Sequence, residues 1–480
     1  MIRCRMLDMR QFVGRQRDMQ ELSALLERVR RSGSGKMIAI RGRRRVGKSR
    51  LLTEWLRRQD VPYVYFEAGQ DPEARELELF KRAVVGSTLP TAAKIQINDA
   101  RSWADALAAL ATGSDQARPT VVVIDEFPNL LVANPALAAR LQVVFDTTID
   151  DSKPVVVVLI GSDLSMMERL SSYAAPLYGR IREFVLGPLN PHDIYQYTGA
   201  SAASTFDAYL LTGGFPELVE TWEEADTVET YVRREVRRLS PFVVAGERIV
   251  SQEFPSETSA KTVLACIAQG SSSFTSILST AGLTQPTLTR SLKTLIEDKR
   301  VVEASAPMSV PRDLRRRLYR VQDPYLAFWL RFIMSSSALI DIELEPIVTS
   351  AILRDWTTYR GAAIEPVIRQ AITRLMLSDS RFGAATACGS WWSRDQNTEI
   401  DLVGVDRNES PRSVEFVGSI KWRERQPFDN HDRSELLKAL AVVPGVTNAA
   451  RLVAVSRSGF SCVDEVDIQL TPEELLAAFA

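Results

Sequence analysis

Cysteine and histidine are scarce in this 480-residue chain. Its four cysteines, Cys4, Cys266, Cys388 and Cys462, stand alone with no C-x-x-C pair. That argues against a disulfide framework and against a cysteine-held structural zinc. Only His192 and His431 occur, too few for a histidine-built metal centre or a Ser-His-Asp triad. An excess of one charge is also missing: 59 Lys+Arg against 60 Asp+Glu leave a formal charge of −1. No overall basic field exists, so any nucleic-acid contact must use a local patch. The longest apolar run, Val155–Ile160, is far shorter than a membrane span, and the charged start MIRCRMLDMRQ has no signal-peptide core. These features predict a soluble cytoplasmic protein with no membrane partner, with length for about three domains.

What is present is organised around Ile38–Leu52. A short apolar run, Met37–Ile40, reads as a buried strand, and Gly42-Arg43-Arg44-Arg45-Val46-Gly47-Lys48-Ser49 follows it into a helical pattern through Trp55. G-x-x-x-x-G-K-S between strand and helix is the context of a phosphate-binding loop. Gly42 and Gly47 permit the tight turn that points successive N–H groups at phosphate oxygens. Lys48 would reach the β- and γ-phosphates of ATP, and the Ser49 hydroxyl would bind Mg²⁺. The helix adds its positive N-terminal end to the anion site. Residues Gly42 through Arg50 are therefore the candidate nucleotide-binding segment, with Arg43, Arg44 and Arg45 placed to meet phosphates or a neighbouring domain.

Two further apolar strands end in chemistry. Thr120–Ile124 leads into Asp125-Glu126, and acids at the C-terminal end of a buried parallel strand lie on the ligand edge of a doubly wound sheet. Asp125 would hold Mg²⁺ through its water shell, and Glu126 would activate the attacking water as general base. Val155–Ile160 ends in Gly161-Ser162-Asp163; Ser162 is either a γ-phosphate sensor or a strand-to-loop cap. A fifth strand is expected at Phe184–Leu186. Just before it, Pro176-Leu177-Tyr178-Gly179-Arg180 offers Arg180 as a charge-stabilising catalytic arginine, or as a surface ion-pair residue.

Phe12-Val13-Gly14-Arg15, ahead of the loop, resembles the nucleotide-side motif of AAA-type and related signal-transduction ATPases, where the glycine-arginine segment packs near the adenine. Asp18 stands where that family usually has glutamate. In the helical stretch from Pro191 to Leu239, Gly214-Phe215-Pro216 matches the G-x-P segment of the family's lid. That resemblance places Gly14, Arg15 and Pro216 among the nucleotide contacts.

Residues Thr262–Val302 carry three helical patterns. A strand begins at Val301-Val302 and a second covers Arg315–Val321, the order of a winged helix-turn-helix. Gln285, Thr287, Thr289, Arg290 and Lys293 would face outward on its recognition helix, and Arg312, Arg315, Arg316 and Arg317 crowd the wing. These are candidate contacts to double-stranded DNA. The competing reading is a winged helix that packs on the ATPase and reads no DNA. The aromatic-dense Arg317–Phe332 reads as a docking helix whose rings are core.

From Trp356 to the end, the helix Tyr359–Leu375 with Glu365 and the strands Glu399–Val403, Val414–Trp422 and Arg451–Val455 resemble the restriction-endonuclease-like PD-(D/E)-x-K nucleases. Those enzymes hold Mg²⁺ with Asp and Glu and position water with Lys, here Glu365, Asp401 and Lys421. The acid expected two residues before the lysine is Ser419. Glu415 shares its strand face but lies about 13 Å away at strand rise, so the resemblance implies a degenerate domain.

The whole chain from Phe12 onward resembles the archaeal-type ATP-binding proteins of the AAA/STAND P-loop group that carry a C-terminal domain of unknown function. The expected fold is α/β: a P-loop parallel-sheet core over residues 10–189, a helical lid over 190–250, a winged helix over 255–333 and a restriction-endonuclease-like α/β domain over 345–480. The expected activity is ATP binding and hydrolysis with Mg²⁺, switching the winged helix and C-terminal domain, on DNA or on an unidentified protein partner. A DNA-binding regulator with ATP as a conformational ligand, and a Mg²⁺-dependent nuclease, are the alternatives.

Overall fold

The structure is a computed structural model that describes residues 12, 14–115, 118–149, 153–309, 316–395, 397–447, 449–461 and 466–480. Val13, Arg312 and Arg315 lie outside the described residues. The chain divides into two compact units, one ending at Pro188 and one beginning at Leu189.

The first unit is built on five parallel strands: β1 (Lys36–Arg41), β2 (Tyr63–Glu67), β3 (Thr120–Asp125), β4 (Val155–Gly161) and β5 (Ile181–Val185). Their order is β2-β3-β4-β1-β5. β3 and β4 are buried at every residue, as valine-rich strands covered on both faces must be. The fifth strand begins three residues earlier than Phe184 because it takes its register from β1, pairing Met37 with Ile181. The helix Gln16–Ser32 buries Met19, Leu22, Leu25, Leu26 and Val29 along one face, each worth about 1.5–3 kcal/mol relative to exposure. It ends where the Gly33 N–H donates to the Val29 carbonyl.

The second unit opens with helical segments. Pro191–Thr198 starts on a capping box between Asn190 and Asp193, and Ala202–Thr212 follows, ending at Gly213. The helices Thr258–Ala268, Phe274–Ala281 and Gln285–Lys293 come next, then an antiparallel hairpin of β6 (Val302–Ser305) and β7 (Leu318–Val321). Val263, Leu264, Ile277, Leu288 and Leu292 are buried between these helices, which gives the winged-helix arrangement. Tyr325, Phe328 and Trp329 are buried. The Tyr325 hydroxyl donates to the Phe242 carbonyl at 2.7 Å and the Trp329 indole to the Val243 carbonyl at 2.7 Å. These rings are core.

A 31-residue helix, Glu345–Leu375, leads into the C-terminal sheet. It begins well before Tyr359 and carries Pro366 inside it. The sheet joins β8 (Ala387–Trp392), β9 (Glu399–Val405), β10 (Val414–Lys421), β11 (Arg451–Ser456) and β12 (Ile468–Leu470) in the order β12-β11-β10-β9-β8. β8, β9 and β10 are antiparallel, whereas β10, β11 and β12 are parallel. No helix among the described residues is long and apolar enough to cross a membrane.

Candidate functional site

The loop between β1 and the helix Lys48–Arg58 has the backbone its glycines predict. A Cβ on Gly42 would meet the Leu186 carbonyl oxygen at 2.2 Å, so only glycine lets the loop pass that strand end. Gly47 has φ 92°, a conformation glycine adopts without cost. Lys48 is buried, and its ammonium donates to the carbonyls of Gly42 at 2.8 Å and Arg43 at 3.0 Å, which centres the charge in the loop. Val46 is fully buried. Arg44 and Arg50 are exposed, and Arg43 and Arg45 are half-buried.

Arg15 braces this loop from the side. Its guanidinium donates to the Val46 carbonyl at 2.9 Å and the Gly187 carbonyl at 2.6 Å, and pairs with Asp18 at 3.4 Å. Gly14 and Arg15 both have positive φ, 73° and 60°. The aspartate in place of the family's glutamate thus serves as a local partner for Arg15.

Facing the loop are the acids at the end of β3. Asp125 Oδ2 accepts the Ser49 hydroxyl at 2.5 Å and the Tyr65 hydroxyl at 2.5 Å, while Oδ1 accepts the Glu126 N–H at 2.9 Å. Burial and the Asp125 charge hold the Tyr65 hydroxyl protonated far above the ordinary phenol range, so Tyr65 is a donor to Asp125. Sequence reasoning missed Tyr65. Ser49 and Asp125 bring a hydroxyl and a carboxylate oxygen to one point, a donor set that suits Mg²⁺ completed by substrate phosphates and water.

Glu126 sits at φ 51°, an uncommon backbone for a non-glycine residue and one that clusters at functional sites. From there its carboxylate accepts the Ser162 hydroxyl at 3.1 and 3.3 Å. β4 lies between β1 and β3, so Ser162, just past the end of β4, stands between the loop and the acids. Arg44 Nε donates to Ser162 Oγ at 3.2 Å. The helix Leu164–Leu170 is capped by Asp163, which accepts the Met166 N–H. Arg180 forms an ion pair with Asp146 at 2.6 Å, with both side chains about one-third exposed; that contact holds the Asp146 carboxyl below its usual range.

The remaining candidates lie in the second unit. Pro216 begins the short turn Pro216–Val219, and the Gly214 carbonyl just before it accepts the Leu189 N–H at 2.8 Å. On the helix Gln285–Lys293, Gln285, Thr289, Arg290 and Lys293 are exposed, whereas Thr287 is half-buried. Lys293 lies 3.9 Å from Glu297. Among the described residues flanking the hairpin, Arg316 donates to the Trp392 carbonyl, and the Met308 N–H donates to the Ser390 carbonyl at 2.8 Å, both on β8. Arg316 thus links the hairpin to the C-terminal sheet. Arg317 is exposed.

The nuclease-like residues assemble differently from the expectation. Glu365 and Asp401 meet around the Arg369 guanidinium, which donates to Glu365 Oε2 at 3.2 Å and to the Asp401 carbonyl at 2.9 Å. Asp401 Oδ2 accepts the Ser419 hydroxyl at 3.1 Å and the Ile420 N–H at 2.7 Å. Lys421, next to the Ile420 N–H that the Asp401 carboxylate accepts, pairs with Asp432 at 3.7 Å. Desolvation pushes the Glu365 carboxyl up to about 7 against the pull of Arg369. Among the described residues, no group of three or more His, Cys, Asp or Glu could hold a metal ion. With Glu365 paired to Arg369, the Asp401 carboxylate bonded to Ser419 and the Ile420 N–H, and serine standing where the third acid would be, this donor set does not fit Mg²⁺.

Residues 12–221 match a family described as an ATPase domain predominantly from Archaea, and residues 329–434 match a family of archaeal and bacterial proteins of unknown function. An uncharacterized protein of Methanocaldococcus jannaschii is 26% identical over 419 residues, spanning 85% of this chain and 88% of that protein. Among solved structures, the Walker-type ATPase of Pyrococcus abyssi superposes with a TM-score of 0.50 at 18% identity, covering 68% of this chain and 99% of its own. The ORC2 protein of Aeropyrum pernix, solved in ADPNP–ADP complexes, gives a TM-score of 0.45 at 15% identity, covering 72% of this chain and 98% of its own.

Proposed function

We propose that this chain, which carries an ATPase domain of the predominantly archaeal type, is an ATP-hydrolysing switch whose nucleotide state sets the arrangement of its winged helix and C-terminal domain. The observation that carries the reading is the convergence of Lys48, Ser49, Asp125 and Glu126 on the ends of β1 and β3. Loop N–H groups and Lys48 bind the phosphates. Ser49 and Asp125 are the residues that would hold Mg²⁺, which when bound neutralises charge on the β- and γ-phosphates. Glu126 takes a proton from the attacking water, and Ser162 orients its carboxylate. The test is steady-state ATP hydrolysis and ADP binding by the full chain. Lys48→Ala should lose nucleotide affinity, and Glu126→Gln should keep affinity and lose turnover. Turnover in both variants equal to that of the unaltered chain would refute the proposal.

A DNA contact is a second component, favoured by the exposed face of Gln285, Thr289, Arg290 and Lys293. Arg290 and Lys293 supply phosphate-binding charge there, and Gln285 and Thr289 supply hydrogen-bonding groups of the kind that reach base edges.

A further inference from the structure

We propose that Arg44 is the catalytic arginine of ATP hydrolysis, supplied in cis by the phosphate loop itself. The inference rests on the ATPase reading above and names the group that stabilises charge on the γ-phosphoryl. Arg44 and Lys48 lie on the same loop, yet their heads are directed differently. Lys48 folds back on the carbonyls of Gly42 and Arg43, whereas Arg44 crosses to Ser162 at 3.2 Å. Ser162 in turn donates to Glu126. A hydrogen-bonded chain therefore runs from the loop, over the end of β4, to the general base. In the proposed reaction, water and γ-phosphoryl meet beside that chain, with Glu126 as base on the water.

Three other arginines of this unit are held in other ways. Arg41 is buried and paired with Glu183 at 2.8 Å. Arg15 braces the Val46 and Gly187 carbonyls. Arg180, the sequence-based candidate, is paired with Asp146. Arg44 is exposed and bonded through Nε, and a guanidinium offers five donors in a planar fork, which matches phosphoryl oxygens two at a time.

In the step itself, the water oxygen bonds to the γ-phosphorus and its proton passes to the Glu126 carboxylate. The bond from the γ-phosphorus to the β–γ bridging oxygen breaks, and its electron pair leaves on ADP. Arg44 donates to the equatorial γ-oxygens, whose charge it stabilises as that bond breaks. A cis arginine makes turnover a property of the single chain, with no residue borrowed from a neighbour.

The experiment compares Arg44→Ala, Arg44→Lys and Arg180→Ala in the full chain, with Lys48→Ala and Glu126→Gln as controls. Arg44→Ala should lower kcat about 10³-fold, the scale of a catalytic arginine, with ADP affinity and thermal unfolding unchanged. It should also fail to trap ADP with aluminium fluoride, which the unaltered chain traps. Arg44→Lys should recover only part of the loss, since an ammonium lacks the fork. Arg180→Ala should keep full turnover, and turnover per chain should not rise with protein concentration. Normal kcat and trapping in Arg44→Ala, loss of turnover in Arg180→Ala, or a steep rise with concentration would each overturn the assignment. Absence of hydrolysis in the unaltered chain, or full turnover in both controls, would instead overturn the ATPase reading on which it rests.

Discussion

Tyr65 Oη lies 2.5 Å from Asp125 Oδ2, so a phenol on the edge strand β2 steadies the acid at the end of β3. The Ser49 hydroxyl shares that carboxylate oxygen. When Ser49 turns to a metal, Tyr65 is the side-chain donor that still fixes the Asp125 rotamer. Removing a hydrogen bond to a charged group costs about 1.5–3 kcal/mol. Tyr65→Phe should therefore raise the Mg²⁺ concentration for half-maximal ADP affinity by about tenfold or more. Affinity without Mg²⁺ should stay as it was. An unchanged Mg²⁺ titration would refute a positioning role for Tyr65.

That contact shows where sequence reading stops. The loop was legible because its requirement is local: glycines at fixed spacing, a lysine and a serine, between a strand and a helix. Asp125 and Glu126 were legible because an apolar strand must end somewhere, and acids at its end face the ligand edge. Tyr65 reaches Asp125 only through the pairing of β2 with β3, in which Tyr65 sits beside Val123, and no local pattern encodes that register. Lys421 shows the same limit: the motif placed it on the strand whose Ile420 N–H bonds Asp401, but its ion pair with Asp432, on the helix Asn430–Leu440, depends on tertiary packing. The Glu365–Arg369 pair, at helical i,i+4 spacing, and the Thr471–Glu474 capping box that starts Pro472–Ala477 are local features that the sequence reading passed over, whereas the three-residue β12 is too short to show a period.

Glu365 gives the second unit a pH dependence with a definite sign. Its carboxyl is raised from 4.5 to about 7 in the folded chain, chiefly by desolvation. Between those values the folded state binds more proton than the unfolded state, so stability falls as pH rises through this window. Unfolding by urea, followed through tryptophan fluorescence, should show this loss between pH about 4.5 and about 7. Glu365→Gln should flatten that part of the profile. A slope that survives in the variant would assign it to other groups.

Asp207 is buried beneath two arginines. Arg457 donates to both its oxygens at 3.1 and 2.8 Å, and the fully buried Arg360 lies 3.7 Å away while also bonding Glu424 at 2.8 Å. Breaking such a pair strands charge away from water, at a cost of about 3–5 kcal/mol. Asp207→Ala should destabilise the chain by that order in equilibrium urea unfolding. Replacing Asp207 with leucine together with Arg457→Met should recover much of the loss, because an apolar pair leaves no stranded charge at that contact. A single variant that unfolds like the unaltered chain would show that the pair contributes little.

The two faces of the winged helix make opposite predictions for DNA. Arg290 and Lys293 are exposed on the helix Gln285–Lys293, and each phosphate they neutralise adds about 0.9 to the steepness of log affinity against log salt. Replacing both with alanine should therefore weaken binding to double-stranded DNA and flatten the salt dependence by about 1–2. Arg316 donates to the Trp392 carbonyl, so its guanidinium is tied to the edge strand of the C-terminal sheet. Arg316→Ala should leave the salt slope unchanged while loosening the contact between the hairpin and β8, seen as faster amide exchange in Leu318–Val321. A flattened slope in Arg316→Ala, with none in the Arg290 and Lys293 double variant, would transfer the DNA contact to the wing. No salt-dependent binding at all would remove DNA from the function and leave the exposed helix face to a protein partner.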